Sequence, residues 1–359
     1  LLTGGCGYIG TNLAHKLLDL GHHVTVVDIM WFGNHLIANK NLSVIKADIR
    51  DIKKIPMKGI DSVLHLANIA NDPTGDLDPR LTWEVNALAN KFLIEKAIEN
   101  NVKQFVYASS GSVYGVKDEP RVTEELSLLP ISDYNKTKMI GERILLSYKN
   151  DITIQCIRPA TVCGVSPRMR LDLSVSMLTM QALTNGKITV FGGQQTRPNI
   201  HMKDMIRVYL HFLEIGKKEP GIFNAGFENI SILDIAKKIV KVVPAEIVVT
   251  ESNDPRSYRQ DSTKLLETGF SPKYSVDDGI TDVIKGYENG ELMEEGNFKI
   301  GKKVGSWKYY NQEGFSIKTG FRSEKQQMLN KKTDFSVFQY NKEYRKNYFS
   351  TNDHFSEGT

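Results

Sequence analysis

The chain has 359 residues, 40% of them hydrophobic and 25% charged, with a formal net charge of +4. That suffices for a large core and about two domains with an appendage, and no apolar run approaches the ~20 residues of a membrane-spanning helix, so no membrane association is expected. The charge is uneven: residues 296–359 carry 12 Lys/Arg against 6 Asp/Glu, so the basic character belongs to the tail.

Three cysteines, Cys6, Cys156 and Cys163, fall in or near predicted strands and turns. They have neither metal-ligand spacing nor an even disulfide framework, which favours a reducing cytoplasm and no metal. The chain opens on Leu1, directly in a strand, so its natural start and any targeting segment are expected upstream. From Leu1 to Arg158 predicted strands (Leu1–Thr3, His23–Asp28, Ser43–Lys46, Asp61–Ala67, Lys103–Ser109, Ile152–Arg158) alternate with amphipathic helices (Tyr8–Leu20, Leu81–Asn100, Asp133–Lys149). Such alternation predicts an α/β fold with a doubly wound parallel sheet.

After Arg158-Pro159 the alternation fades into a smaller α/β lobe with helices expected over Leu171–Asn185, Lys203–Ile215, Ser231–Val242 and Val276–Glu288, and short strands at Lys187–Phe191, Ile222–Ala225 and Glu246–Thr250. We therefore divide the chain into a dinucleotide-binding domain at 1–165, a substrate lobe at 166–288, a β-rich segment at 289–320 and a loosely ordered tail at 321–359. A ligand is expected between the first two, beyond the carboxyl ends of the parallel strands.

Thr3-Gly4-Gly5-Cys6-Gly7-Tyr8-Ile9-Gly10 leads from a strand into a helix, and glycines there let backbone N–H groups and the helix N-terminus approach a pyrophosphate. A glycine cluster alone also marks any tight strand-to-helix turn. Asp28, at the end of the second strand and 18 residues after Gly10, adds a carboxylate suited to both ribose hydroxyls and repellent to a 2′-phosphate, which favours NAD over NADP. Tyr134 and Lys138 lie four residues apart on one helix face, where an ammonium favours a phenolate and makes the tyrosine a general base. Alone, such a pair is also an ordinary solvated helix face. Ser109-Ser110-Gly111-Ser112 supplies hydroxyls where the cleft should open.

Taken together these motifs resemble the extended short-chain dehydrogenase/reductase superfamily, and within it the NAD-dependent nucleotide-sugar epimerase/dehydratase family, over about Leu1 to Tyr287. The resemblance implies a Rossmann domain with NAD held by Gly4, Gly7, Tyr8, Ile9, Gly10 and Asp28, by Asp48 and Ile49 in Ala47-Asp48-Ile49-Arg50, by Leu66 and Ala67 after His65, by Asn86, and by Tyr134 and Lys138. It implies Ser110, Tyr134 and Lys138 as the catalytic set, with Ser110 also holding substrate. Arg197 and Arg256 take the place of the family's diphosphate-binding arginines, a role suited to the planar guanidinium; each is alternatively a surface ion pair. The substrate implied is a nucleotide-diphosphate sugar, and the assembly a homodimer.

Family members that eliminate water carry Asp-Glu or Glu where this chain has Gly111 and Ser112, which speaks against a dehydratase. Asp28 speaks against an NADPH-consuming reductase. What remains is a 4-epimerase working through a transient 4-keto sugar; its rivals are a dehydratase or reductase of the same family and a non-catalytic NAD-binding regulatory protein. Two departures stand out: Ala160-Thr161-Val162-Cys163-Gly164 after Arg-Pro, and Asn68-Ile69-Ala70-Asn71-Asp72-Pro73 in a loop that should border the sugar. Arg168, Arg170 and Asp172 could line that pocket, but a solvated charged loop is the preferred reading.

From Gly290 to Phe315 aromatics alternate between Gly-bearing turns, resembling one unit of a variant MORN repeat and predicting a β-hairpin. Thirteen of the 32 aromatics lie from Phe298 onward, beside the basic charge. That mixture also suits single-stranded nucleic acid, but no RNA-binding motif accompanies it, so a structural or oligomerising role ranks above nucleic-acid binding.

Overall fold

Runs such as Val24–Asp28 and Gln104–Ala108 are apolar or buried on both faces, and only the interior of a sheet covered by helices satisfies that pattern. The computed structural model describes residues 1–216, 219–252, 257–289, 294–299, 302–310 and 316–322. β1 (Leu2–Thr3), α1 (Tyr8–Asp19), β2 (Val24–Asp28), β3 (Leu42–Lys46) and β4 (Ser62–His65) open the chain. α2 (Asp72–Leu77), α3 (Pro79–Trp83) and α4 (Ala89–Glu99) follow, then β5 (Gln104–Ala108), α5 (Asp133–Leu146) and β6 (Thr153–Pro159). A π-helical turn over Glu84–Leu88 joins α3 to α4, so the single helix expected at Leu81–Asn100 carries an internal bulge.

The remainder runs β7 (Thr161–Cys163), α6 (Ser174–Asn185), β8 (Lys187–Phe191), β9 (Thr196–His201), α7 (Met202–Ile215), β10 (Gly221–Ala225), β11 (Glu228–Ser231), α8 (Ile232–Val240), β12 (Glu246–Thr250), α9 (Thr263–Glu267) and α10 (Val276–Glu288). The main sheet has the order β10-β6-β5-β4-β1-β2-β3 with every pair parallel. The order reverses between β1 and β4, where such sheets open a ligand crevice.

β10 corrects the expected division at 165/166. The sequence places Ile222–Ala225 in the second lobe, but Ile222 pairs with Cys156 and the strand forms the edge of the main sheet. Its Phe223 ring lies 4.8 Å from that of Phe212 on α7, and this burial draws the chain back. The smaller lobe comprises the sheet β11-β9-β7 and the parallel pair β12-β8, over a core that includes Leu178, Ile188, Val190, Ile235 and Ile280. A separate compact unit takes in Met30–Gly33 and the described residues from 287 onward; within it β13 (Glu294–Lys299), β14 (Lys302–Tyr310) and β15 (Ser316–Arg322) form an antiparallel meander. Among the described residues no helix is long and apolar enough to cross a membrane.

Candidate active site

The glycine turn is built by close approach. Gly4 has φ +74°, donates its N–H to the Val27 carbonyl at 2.8 Å, and a Cβ there would lie 2.6 Å from the Ala67 nitrogen. At Gly10 a Cβ would lie 2.1 Å from the Gly4 carbonyl oxygen. Only glycine fits either place. Gly7 caps α1 without a side-chain hydrogen bond, so no side chain competes for the first N–H groups of the helix, the kind of terminus that suits an anion. Asp28 accepts the Cys6 N–H at 3.0 Å, which fixes the carboxylate at the rim of the turn. These features fit a dinucleotide.

Other expected cofactor residues are placed with distinct jobs. Tyr8 is buried and its hydroxyl donates to the Gly164 carbonyl at 2.7 Å, tying the turn to the chain after β7. Asp48 takes Arg50 in a fork of 2.7 and 3.1 Å contacts, and Arg50 also reaches Glu84 at 2.6 Å, while Ile49 is buried. Leu66 and Ala67 continue β4 beside Gly4. Asn86 spends its amide on both backbone groups of Ile69 (2.7 and 2.9 Å) and on Thr137, so it shapes the segment after Ala67.

Ser110 caps the short 3-10 turn Gly111–Tyr114, accepting the Ser112 N–H at 3.2 Å. The two hydroxyls lie 2.7 Å apart, and Ser112 donates onward to Asn135. Ser132 starts α5 by accepting the Asn135 N–H, which places Tyr134 in the first turn, opposite Ser110. Burial raises the Tyr134 phenol above its ordinary range, while the Ser110 hydroxyl and then Arg170 pull it back. Lys138, one turn on, is buried and donates to the Ala108 carbonyl at 2.6 Å, over the Tyr107 ring. Desolvation lowers it to about 7, against the pull of Glu142. In the protein alone the Lys138 ammonium donates to the Ala108 carbonyl, and Arg170 is the cation that lowers the Tyr134 phenol.

Arg170 is the residue that sequence reasoning undervalued. It forks onto Asp172 at 3.1 and 2.5 Å, and Asp172 also accepts from Asn71 at 3.0 Å, across 101 residues. Both side chains are under a fifth exposed, and Arg168 is buried, so the solvated-loop alternative fails. Burial and then Arg170 bring the Arg168 guanidinium down to about 10. The available signals were the Arg-x-Arg-x-Asp spacing and the unusual Asn71. Arg197 lies on β9 opposite Ile230 in the smaller lobe, and Arg256 lies outside the described residues.

Residues 1–226 match the model of the NAD dependent epimerase/dehydratase family. The chain is 27% identical over 321 residues to a UDP-glucose 4-epimerase of Lactobacillus helveticus, covering 80% of this chain and 97% of that one. It is 30% identical over 312 residues to an uncharacterized UDP-glucose epimerase of Bacillus subtilis, covering 79% and 96%. Among solved structures, a UDP-glucuronic acid 4-epimerase from Bacillus cereus, in complex with UDP-glucuronic acid and NAD, superposes with a TM-score of 0.71 at 30% identity, over 79% of this chain and 98% of that one. With the glycine turn, Asp28 and the Ser110, Tyr134 and Lys138 set in place, the chain belongs to the NAD-dependent epimerase/dehydratase family.

Proposed function

We infer that the protein is an NAD-dependent nucleotide-sugar epimerase that inverts C4 of its substrate. The observation that carries this reading is Tyr134 facing Ser110 with Lys138 one turn behind, at the carboxyl end of β5 and beside a turn that admits only glycine. The relatives named as UDP-glucose and UDP-glucuronic acid 4-epimerases support C4 as the carbon. Gly111 and Ser112 stand where dehydration needs a carboxylate, and Ser112 is engaged in orienting Ser110.

NAD supplies the hydride acceptor and donor. Tyr134, as phenolate, takes the proton of the sugar hydroxyl and returns it after the 4-keto sugar has turned in the cleft. Ser110 donates to the sugar oxygen, and Arg170 adds positive charge that favours the phenolate. Lys138 holds the nicotinamide ribose, and Arg197 and Arg256 hold the diphosphate. Incubation with UDP-, GDP-, CDP- and dTDP-sugars, followed by NMR, tests this: C4 inversion without net NADH is expected, and water loss or stoichiometric reduction overturns it. The reading includes a homodimer, supported by the exposed Leu88 and Phe92 along the π turn and α4, with a sedimentation mass of two chains expected. It also includes a cytoplasmic setting, supported by three buried free thiols.

A further inference from the structure

Beneath the catalytic helix lies a buried ion pair that the mechanism above does not use. Arg158 on β6 donates through Nε to Glu142 Oε1 at 2.9 Å and through a terminal nitrogen to Oε2 at 2.7 Å, and both side chains are 2% exposed. A buried bidentate pair gains little stability over apolar side chains of the same volume, so its presence asks for another reason. Its neighbours supply one. Glu142 Oε1 also accepts the Ser109 hydroxyl at 2.5 Å, immediately before Ser110. Arg158 donates to the Tyr114 hydroxyl at 2.7 Å, at the far end of the turn that Ser110 caps, and Tyr114 donates onward to Asn224. Glu142 sits one helical turn beyond Lys138, on the side of α5 that faces the sheet.

We propose that Glu142 is a positioning residue of the reaction: through Ser109 and Arg158 it fixes the strand end that carries Ser110, and its negative charge holds Lys138 as an ammonium against Ala108. The groups facing Lys138 leave that task to Glu142. From β5 it meets the Tyr107 ring at 4.9 Å and the Ala108 carbonyl, and from β4 the neutral, buried His65, held between Thr3 and Asn90. Desolvation and then Lys138 push His65 down to about 3, so it stays neutral and adds no second positive charge. On the far side of Glu142 lies the buried thiol of Cys156 on β6, which burial and then Glu142 keep protonated. The part concerning turnover rests on the reading of Lys138 given above; the part concerning its charge does not.

The test is a pH titration of lysine side chains by NMR in cofactor-free, isotope-labelled protein, with the Lys138 signal assigned through Lys138→Met. Glu142→Gln should lower the Lys138 midpoint by about one unit, and Glu142→Asp, which keeps the charge, should bring it back toward wild type. In the enzyme with substrate, the alkaline limb of the kcat profile should retreat by a similar amount in Glu142→Gln while KM stays put. Should Glu142→Gln leave the buried guanidinium unpaired and fail to fold, the double variant Glu142→Gln with Arg158→Met removes both charges together and should still lower the midpoint, by less, because the more distant Arg158 repulsion is lost with the nearer attraction. A Lys138 midpoint unchanged in these variants overturns the proposal. If the midpoint moves but the alkaline limb does not, the charge coupling stands and the assignment of Lys138 to the reaction falls.

Discussion

The glycine turn at residues 4–10 and the arginine loop at 165–173 border the same site and are specified in opposite ways. The turn is set by sterics between neighbours: a Cβ at Gly10 would sit 2.1 Å from the Gly4 oxygen, so the residue type is dictated within six positions of chain. The loop is set by charge partners far away, with Asp172 joined to Asn71 across 101 residues and Arg170 acting on Tyr134. Local steric demands leave a readable motif. Long-range electrostatic ones leave only scattered charged residues that resemble a solvated surface.

Tyr134, where the influence of both regions meets, should give the largest effect. Tyr134→Phe is expected to lower kcat about 10³-fold while bound NAD is retained; wild-type turnover would refute its role as base. Next comes Gly10→Ala, whose Cβ meets backbone that cannot yield, with an expected loss of NAD retention and a destabilisation of about 1–3 kcal/mol, read by cofactor release and thermal melting. The corresponding change in the loop should separate the two regions: Arg170→Ala leaves NAD bound but lowers kcat about 10-fold, since a guanidinium that favours the phenolate is removed and the turn is untouched. Equal loss of NAD in both variants would break the comparison.

A smaller effect concerns stability and pH. Lys138 titrates near 7 in the fold against an ordinary value of 10.5, so between these limits the unfolded chain binds the extra proton. Its contribution to stability is therefore complete above about 10.5 and lost as pH falls through about 7. Lys138→Met should melt about 2–4 °C above wild type at neutral pH, with the gap closing toward pH 10.5, while turnover is abolished. A constant gap across that range would count against the buried ammonium. The smallest effect is expected from deleting residues 289–359, which should leave kcat and NAD binding unchanged, because apart from Arg256 the candidate site residues all lie in the described part of the first compact unit.

The local setting of several candidate residues was legible in the chain. Asp28, Ser110 and Tyr134 stand at strand ends or in a first helical turn, and Lys138 one turn further on, where short-range geometry decides which way a side chain points. Other features were not. The return of β10 to the main sheet depends on Phe223 finding Phe212, and the bulge at Glu84–Leu88 interrupts a periodicity that reads as one helix. The Glu142 and Arg158 pair looks, in sequence, like two unrelated charges 16 residues apart.

By itself the sequence determined the doubly wound sheet and the glycine turn, because backbone sterics and hydrophobic periodicity act between residues close along the chain. Tertiary structure alone decided the electrostatics: which charges surround Tyr134, and how far burial lowers the Lys138 ammonium. Burial and field depend on groups brought together from strands and loops distant in the chain, and no local pattern records their approach.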